Sequence, residues 1–252
     1  MSMAPILMYH GLHADAQARG RYDPVYSVRP QEFARQLDWL LAQGYVSTRL
    51  SALVPGAANQ VVISFDDGDV SNLEVALPML QERGMCAEIL ITSGFLGQEG
   101  MLPATDVRTL ADAGMSIGSH GRSHAFLDDL DEARVVSELV DSRQRLRELS
   151  GQRVDAIALP GGRGGPRERR IALDLGYRYL LGSAAGPNRR LVEGCWWQRV
   201  AVTRSMSLPQ FAALVSWKGI YPRVTRARQL ALYVPKIVLG NDGYERVRTR
   251  LL

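Results

Sequence analysis

Apolar positions along this chain switch repeatedly between two rhythms. One is a short continuous run; the other is a longer stretch with hydrophobic residues three and four apart. The short runs predict buried strands at Pro5 to Tyr9, Val61 to Phe65, Glu88 to Thr92, Ser116 to Ser119, Ala156 to Leu159 and Tyr179 to Gly182. Between them, the spacing of Phe33, Leu37, Leu40 and Leu41 predicts a helix over Gln31 to Gln43. Similar patterns predict helices over Ser71 to Arg83, Thr105 to Ala113, Asp131 to Leu149 and Arg167 to Leu175. Gly44, Gly84, Gly114 and Gly176 stand where four of these helices should stop. Such strand–helix alternation implies a parallel sheet or barrel with right-handed crossovers. The unusual polar residues, His10, Asp66 with Asp67, His120 and the Gly161-Gly162 turn, each come just after a strand. That placement favours a (β/α) barrel, in which strand ends deliver side chains to one shared face.

The rhythm fades beyond about Ser207. The chain therefore reads as a domain over residues 1–206 and a basic extension over 207–252, with a helix near Thr225 to Val234. From Lys218 to Leu252 there are eight Lys/Arg and two Asp/Glu, a balance of +6, which leaves the other 217 residues at −2. A basic tail suits anionic lipid, at about 1 kcal/mol per cation near the surface. No nucleic-acid module accompanies it, so peripheral membrane contact or a solvated face is expected rather than nucleic acid. No run is long enough to cross a bilayer, and the start lacks the basic region and apolar run of an export signal. The expected location is the cytoplasm, at the inner face of the membrane if the tail binds lipid. Cys86 and Cys195 are expected to be buried thiols, neither paired nor metal-binding.

Candidate chemistry concentrates in three stretches. Val61 to Phe65 ends in Asp66-Asp67-Gly68, and two carboxylates at the end of a buried strand are costly to desolvate without a use. Ser119-His120-Gly121-Arg122-Ser123-His124 holds two of the four histidines, spaced so that both can meet one ion. With Asp67 they make an Asp-His-His set that leaves a coordination position open. Its donors suit Zn²⁺, with Co²⁺, Ni²⁺ and Mn²⁺ as alternatives. Asp66 then stays free as a general base. The third stretch, Leu159-Pro160-Gly161-Gly162, brings backbone close to a ligand, and the Gly161 amide is placed to donate to an oxyanion. Each stretch alone has a plainer reading, as turn or loop.

Together these stretches resemble the polysaccharide deacetylases of the NodB-homology type, carbohydrate esterase family 4. Ser64-Phe65-Asp66-Asp67-Gly68 matches that family's T/S-F-D-D-G motif, and His120 to His124 its H-x-x-x-H motif. Ala158 to Gly162 falls where the family has R-P-P-Y-G or a looser variant, and Tyr9-His10 is similar to a Tyr-His pair in a subgroup that handles exopolysaccharide. The resemblance covers roughly residues 4–205. It implies a distorted (β/α) barrel, usually of seven repeats, and metal-dependent hydrolysis of an N-acetyl group on an amino sugar. It implies Asp66 as base, Asp67, His120 and His124 as metal ligands, and the Gly161 amide in the oxyanion hole. The substrate would be a bacterial glycan or its lipid-linked precursor.

Two departures stand out. Ala158 takes the place of the arginine that pairs with the base in this family, and Arg163 is the expected substitute. No histidine follows His124, whereas the family carries its general acid in a late Leu-x-x-His. His10 is the candidate for protonating the leaving amine, with a hydrogen-bonded structural role as the equal alternative; His13 reads as loop. Trp196 and Trp197 suit core packing or sugar stacking. The other functions considered are a deformylase or amidase on the same scaffold, and a non-catalytic glycan-binding relative.

Overall fold

The computed structural model describes residues 4–188 and 192–229. Nine parallel strands form its sheet: β1 (Ile6–Tyr9), β2 (Val46–Ser47), β3 (Gln60–Asp67), β4 (Glu88–Ile91), β5 (Ser116–Ser119), β6 (Ala156–Ala158), β7 (Tyr179–Leu181), β8 (Trp196–Trp197) and β9 (Val200–Ala201). Their order is β8-β7-β6-β5-β4-β3-β1-β9, with β2 beside β3. Only Gln198 and Arg199 separate β8 from β9, so a single short segment pairs with β7 at one end and with β1 at the other. That segment curls the sheet into the distorted barrel expected from the alternation.

Period-two geometry sorts the strand residues to two sides. Ile6, Val62, Leu90, Ala156, Ala158, Tyr179, Leu181 and Trp197 fill the interior. Leu7, Tyr9, Ile63, Phe65, Ile89, Ile91, Ile157 and Leu180 face outward into a larger cluster with the helices. Those helices are α1 (Pro30–Ala42), α2 (Leu77–Gln81), α3 (Asp106–Asp112), α4 (Glu132–Ser150), α5 (Pro166–Asp174) and α6 (Leu208–Ser216). α4 starts on an Asp131 cap that accepts the Arg134 amide at 2.9 Å and ends at Gly151, whose φ of 68° suits glycine.

The helix expected over Ser71 to Arg83 begins instead as a π-helical turn, Asn72–Ala76, before α2. Pro78 has no N–H to donate one turn back, and the ladder widens ahead of it. Past Ser207 regular structure continues: α6 buries Phe211, Leu214 and Val215 in the outer cluster, with Phe211 edge-on to Trp39 at 5.8 Å. Residues 221–229 are helical, matching the first part of the helix expected near Thr225, whereas the basic stretch beyond residue 229 lies outside the described residues. Both cysteines are free as expected, but Cys195 is exposed and Cys86 only half-buried, because Cys195 sits in the turn just before β8.

Glu88 points into the barrel, 2% exposed, where its carboxylate accepts the Leu50 amide at 2.8 Å. Burial raises its pKa above the ordinary 4.5, outweighing the Leu50 amide and the Ser116 hydroxyl. An acid whose folded pKa is raised binds more proton folded than unfolded, so stability falls as pH climbs from about 4.5 towards the folded value. Glu88→Gln, which keeps an acceptor for Leu50, is therefore expected to melt higher than the parent at pH 7, with the gap closing towards pH 4. Melting curves across that range would show otherwise if the parent were the more stable at pH 7.

Candidate active site

Adjacent strands bring the acids and histidines together. Asp67 is in register with Ile91 on β4, Ile91 with Ser119 on β5, and the His120 amide donates to Ile91 O at 2.9 Å. Strict alternation would send Asp67 to the helix side. Its φ of 73° ends the strand and keeps the carboxylate at the barrel mouth. His124, at φ 64°, is also in the left-handed region. Such backbone outliers cost free energy and collect at functional sites.

Asp67 Oδ1 lies 3.4 Å from His120 Nε2 and 3.3 Å from His124 Nε2, buried and without a well-formed hydrogen bond among the described residues. The three ligand atoms lie within 4.8 Å of one another. A tetrahedral ion with ligands at its usual distance would space them about 3.3 Å apart, so the cluster fits a divalent metal. The His120 ring is set for this: its Nδ1 sits 2.9 Å from Ala158 O, which favours the tautomer that leaves Nε2 free to coordinate. Burial lowers the His120 pKa, and the opposing pull of Asp66 and Asp67 does not overcome it. His124 is stacked on Phe95 at 5.8 Å; burial pulls its pKa down, but Asp67 more than reverses this.

Asp66 is 2% exposed beside the cluster, its Oδ2 4.0 Å from His120 Nε2. Its partner is Arg199, not Arg163. The Arg199 guanidinium, 1% exposed, forks onto the carboxylate with Nη1–Oδ1 at 2.6 Å and Nη2–Oδ2 at 2.8 Å, while Nε donates to Gly182 O at 2.8 Å. Arg199 comes from the β8–β9 joint and reaches Asp66 through the buried interior, where its Nη1 also lies 3.3 Å from Ser64 Oγ. Arg163 is held elsewhere, donating to Asp128 at 2.9 Å and Asp129 at 2.7 Å with its guanidinium over the Phe126 ring. Burial pushes the Asp66 carboxyl up, yet Arg199 and His120 together hold it below the usual carboxylate range.

His10 enters from the end of β1. Its ring stacks on Tyr26 at 4.6 Å, and its carbonyl accepts the Asn72 side-chain amide at 2.9 Å. Its buried Nδ1 has no hydrogen-bond partner among the described residues. Gly161 follows β6 with φ 62°, and a Cβ there would come 2.6 Å from Phe126, so the turn requires glycine. The next two amides, of Gly162 and Arg163, are committed to Leu159 O at 2.8 Å and Pro160 O at 3.3 Å.

His13 lies in a loop, as expected, and is fully buried there, with Nδ1 2.8 Å from Ser27 Oγ and Nε2 3.3 Å from the buried Asp69. Through Asp69, which also accepts the Arg21 amide at 2.6 Å, it ties the β1–α1 loop to the segment after β3. Trp197 faces Tyr179 inside the barrel, 3% exposed, and so is core; the half-buried Trp196 packs on the outer cluster.

The sequence profile of the polysaccharide deacetylase family matches residues 54–180, half of the chain, and spans Asp66, Asp67, His120, His124 and Gly161. The chain belongs to the polysaccharide deacetylase family. Among its relatives is YxkH of Bacillus subtilis (strain 168), provisionally assigned as a polysaccharide deacetylase, 28% identical over 218 residues that cover 84% of this chain and 75% of YxkH. The Streptococcus pyogenes deacetylase PplD, solved with acetate, superposes with a TM-score of 0.73 at 25% identity, over 84% of this chain and 97% of PplD. BA0330 of Bacillus anthracis, also provisionally assigned, shares the fold with a TM-score of 0.75 at 22% identity, over 85% of this chain and 69% of its own. Family membership and the Asp-His-His cluster together make this a metal-dependent hydrolase of an acetylated amino-sugar glycan.

Proposed function

We propose that the chain removes the N-acetyl group from an amino sugar of a bacterial glycan or its lipid-linked precursor, using Zn²⁺ held by Asp67, His120 and His124. The reading rests on the Asp67–His120–His124 cluster with the ionised Asp66–Arg199 pair beside it. A bound divalent ion supplies polarisation of the amide carbonyl and acidifies the attacking water. Asp66, kept charged by Arg199, takes the proton from that water. The Gly161 amide donates to the developing oxyanion. His10 delivers a proton to the leaving nitrogen. The acetate bound to PplD, the product this reaction would release, supports the same reading.

An assay of acetate release from N-acetylglucosamine oligomers tests this. Chelation should abolish release and added Zn²⁺ restore it. Formate or a ring-opened product in place of acetate would point to another amide hydrolase. Sugar binding without release by metal-replete protein would make this a glycan-binding protein, a reading prompted by the arginine missing at Ala158 and weakened by Arg199.

The His10 role has its own test. His10→Ala is expected to lower kcat by about 10²–10⁴-fold, with metal content unchanged. A variant of lower melting temperature with near-parental turnover would leave His10 structural.

Among the described residues no helix is long and apolar enough to cross a membrane. Peripheral lipid contact through the basic tail rests on sequence charge alone. Co-sedimentation with anionic vesicles, comparing the full chain with one ending at residue 229, decides it.

A further inference from the structure

Glu138 lies on the inner face of α4, 4% exposed, and takes no part in the chemistry above. Its carboxylate meets the turn between the two metal-binding histidines. Oε2 accepts the backbone amides of Arg122 at 2.9 Å and Ser123 at 2.8 Å, and Oε1 accepts the Ser123 hydroxyl at 2.7 Å. The Arg122 Nε lies 3.5 Å from Oε1. One helical turn further on, Ser142 Oγ is 2.8 Å from Ser119 Oγ, which itself accepts the Gly121 amide at 3.1 Å. The carbonyl side of the same turn is fixed by β4 and its loop: the Ser93 amide donates to Gly121 O at 3.1 Å and the Gly94 amide to Arg122 O at 2.7 Å.

This turn is not one the chain adopts by default. Gly121 has φ 79° and His124 φ 64°, and the second is a non-glycine residue in the left-handed region. Such a conformation persists where the surroundings over-determine it. A carboxylate can accept all three donors at once, and its charge makes those bonds roughly twice as strong as neutral ones. The turn is thereby held from its amide side by Glu138 and from its carbonyl side by Ser93 and Gly94. We propose that Glu138 is a positioning residue for the metal, fixing the separation of the His120 and His124 rings before an ion arrives. This rests on the reading of Asp67, His120 and His124 as metal ligands.

The experiment measures Zn²⁺ affinity of the metal-free full chain by competition with a chromophoric chelator, alongside the melting temperature. Glu138→Met keeps the volume and removes the acceptor; it is expected to weaken Zn²⁺ binding by at least about tenfold, in the range of outer-shell losses. Glu138→Gln retains a carbonyl for both amides and an NH₂ for the Ser123 hydroxyl, and should stay within about threefold of the parent. Ser123→Ala, at an exposed position, should weaken binding about threefold while melting like the parent. A folded Glu138→Met protein with parental affinity overturns the inference. Should that variant not fold, parental affinity in Ser123→Ala overturns it instead. Parental chain that takes up no Zn²⁺ defeats the metal reading itself, and this inference with it.

Discussion

Exchange of Arg199 for methionine is expected to lower the melting temperature by on the order of 10 °C and to cost most of the activity. The exchange leaves Asp66 as a buried carboxylate without its bidentate partner, and breaking such a pair costs about 3–5 kcal/mol. Part of that cost is escaped if Asp66 takes up a proton, because burial already pushes its carboxyl upward and Arg199 is the leading opposing charge. A protonated Asp66 cannot serve as base, so the acid limb of the pH–rate profile should move to higher pH. Arg199→Lys should recover only part of either property, since an ammonium cannot fork onto both oxygens. The double variant Asp66→Leu/Arg199→Met should regain stability relative to Arg199→Met without regaining activity. Arg199→Met with an unmoved acid limb and near-parental turnover would show that Asp66 is ionised by other means.

The adjacent acids should separate cleanly by substitution. Asp66→Asn is expected to bind metal like the parent while turnover falls by about 10²–10⁴-fold. Asp67→Asn removes the carboxylate shared between the two histidines, so metal uptake should fail first and activity with it. Metal content by elemental analysis and acetate release, measured on the same preparations, distinguish the two. Equal metal loss in both variants would contradict the division of labour between Asp66 and Asp67. Asp66→Asn also leaves Arg199 buried without its anion, so its melting temperature has to be reported beside its rate.

These two predictions differ in where they come from. The proposed Asp66/Asp67 division is argued from the chain itself, because the acids are neighbours, the histidines are four apart, and both groups sit directly after apolar runs. Local spacing was enough to put them on strand ends at one mouth. Arg199 was not legible. It is 133 residues from Asp66, and no local pattern marks it among 30 Lys and Arg. Arg163 was the nearer guess along the chain, but the turn after β6 carries it outward to Asp128 and Asp129.

Other misses have the same cause. The two-residue strands β2, β8 and β9 are too short to show a period, and only pairing with β3, β7 and β1 defines them. His13 lies in a loop, as its surroundings in the chain indicate, but its burial shows only once Asp69 and Ser27 close around it. Glu138 looks like one more charge on an amphipathic helix until the histidine turn docks onto it. The sequence by itself determined the strand–helix alternation, the barrel class, the metal ligands and the candidate base, because each is written in residues close together in the chain. Only the tertiary structure decided which arginine serves the base, which histidine is buried and which carboxylate holds the metal turn. Those choices depend on contacts closed by curling the sheet, which bring distant charges into a low-dielectric interior where an unpaired one is not tolerated.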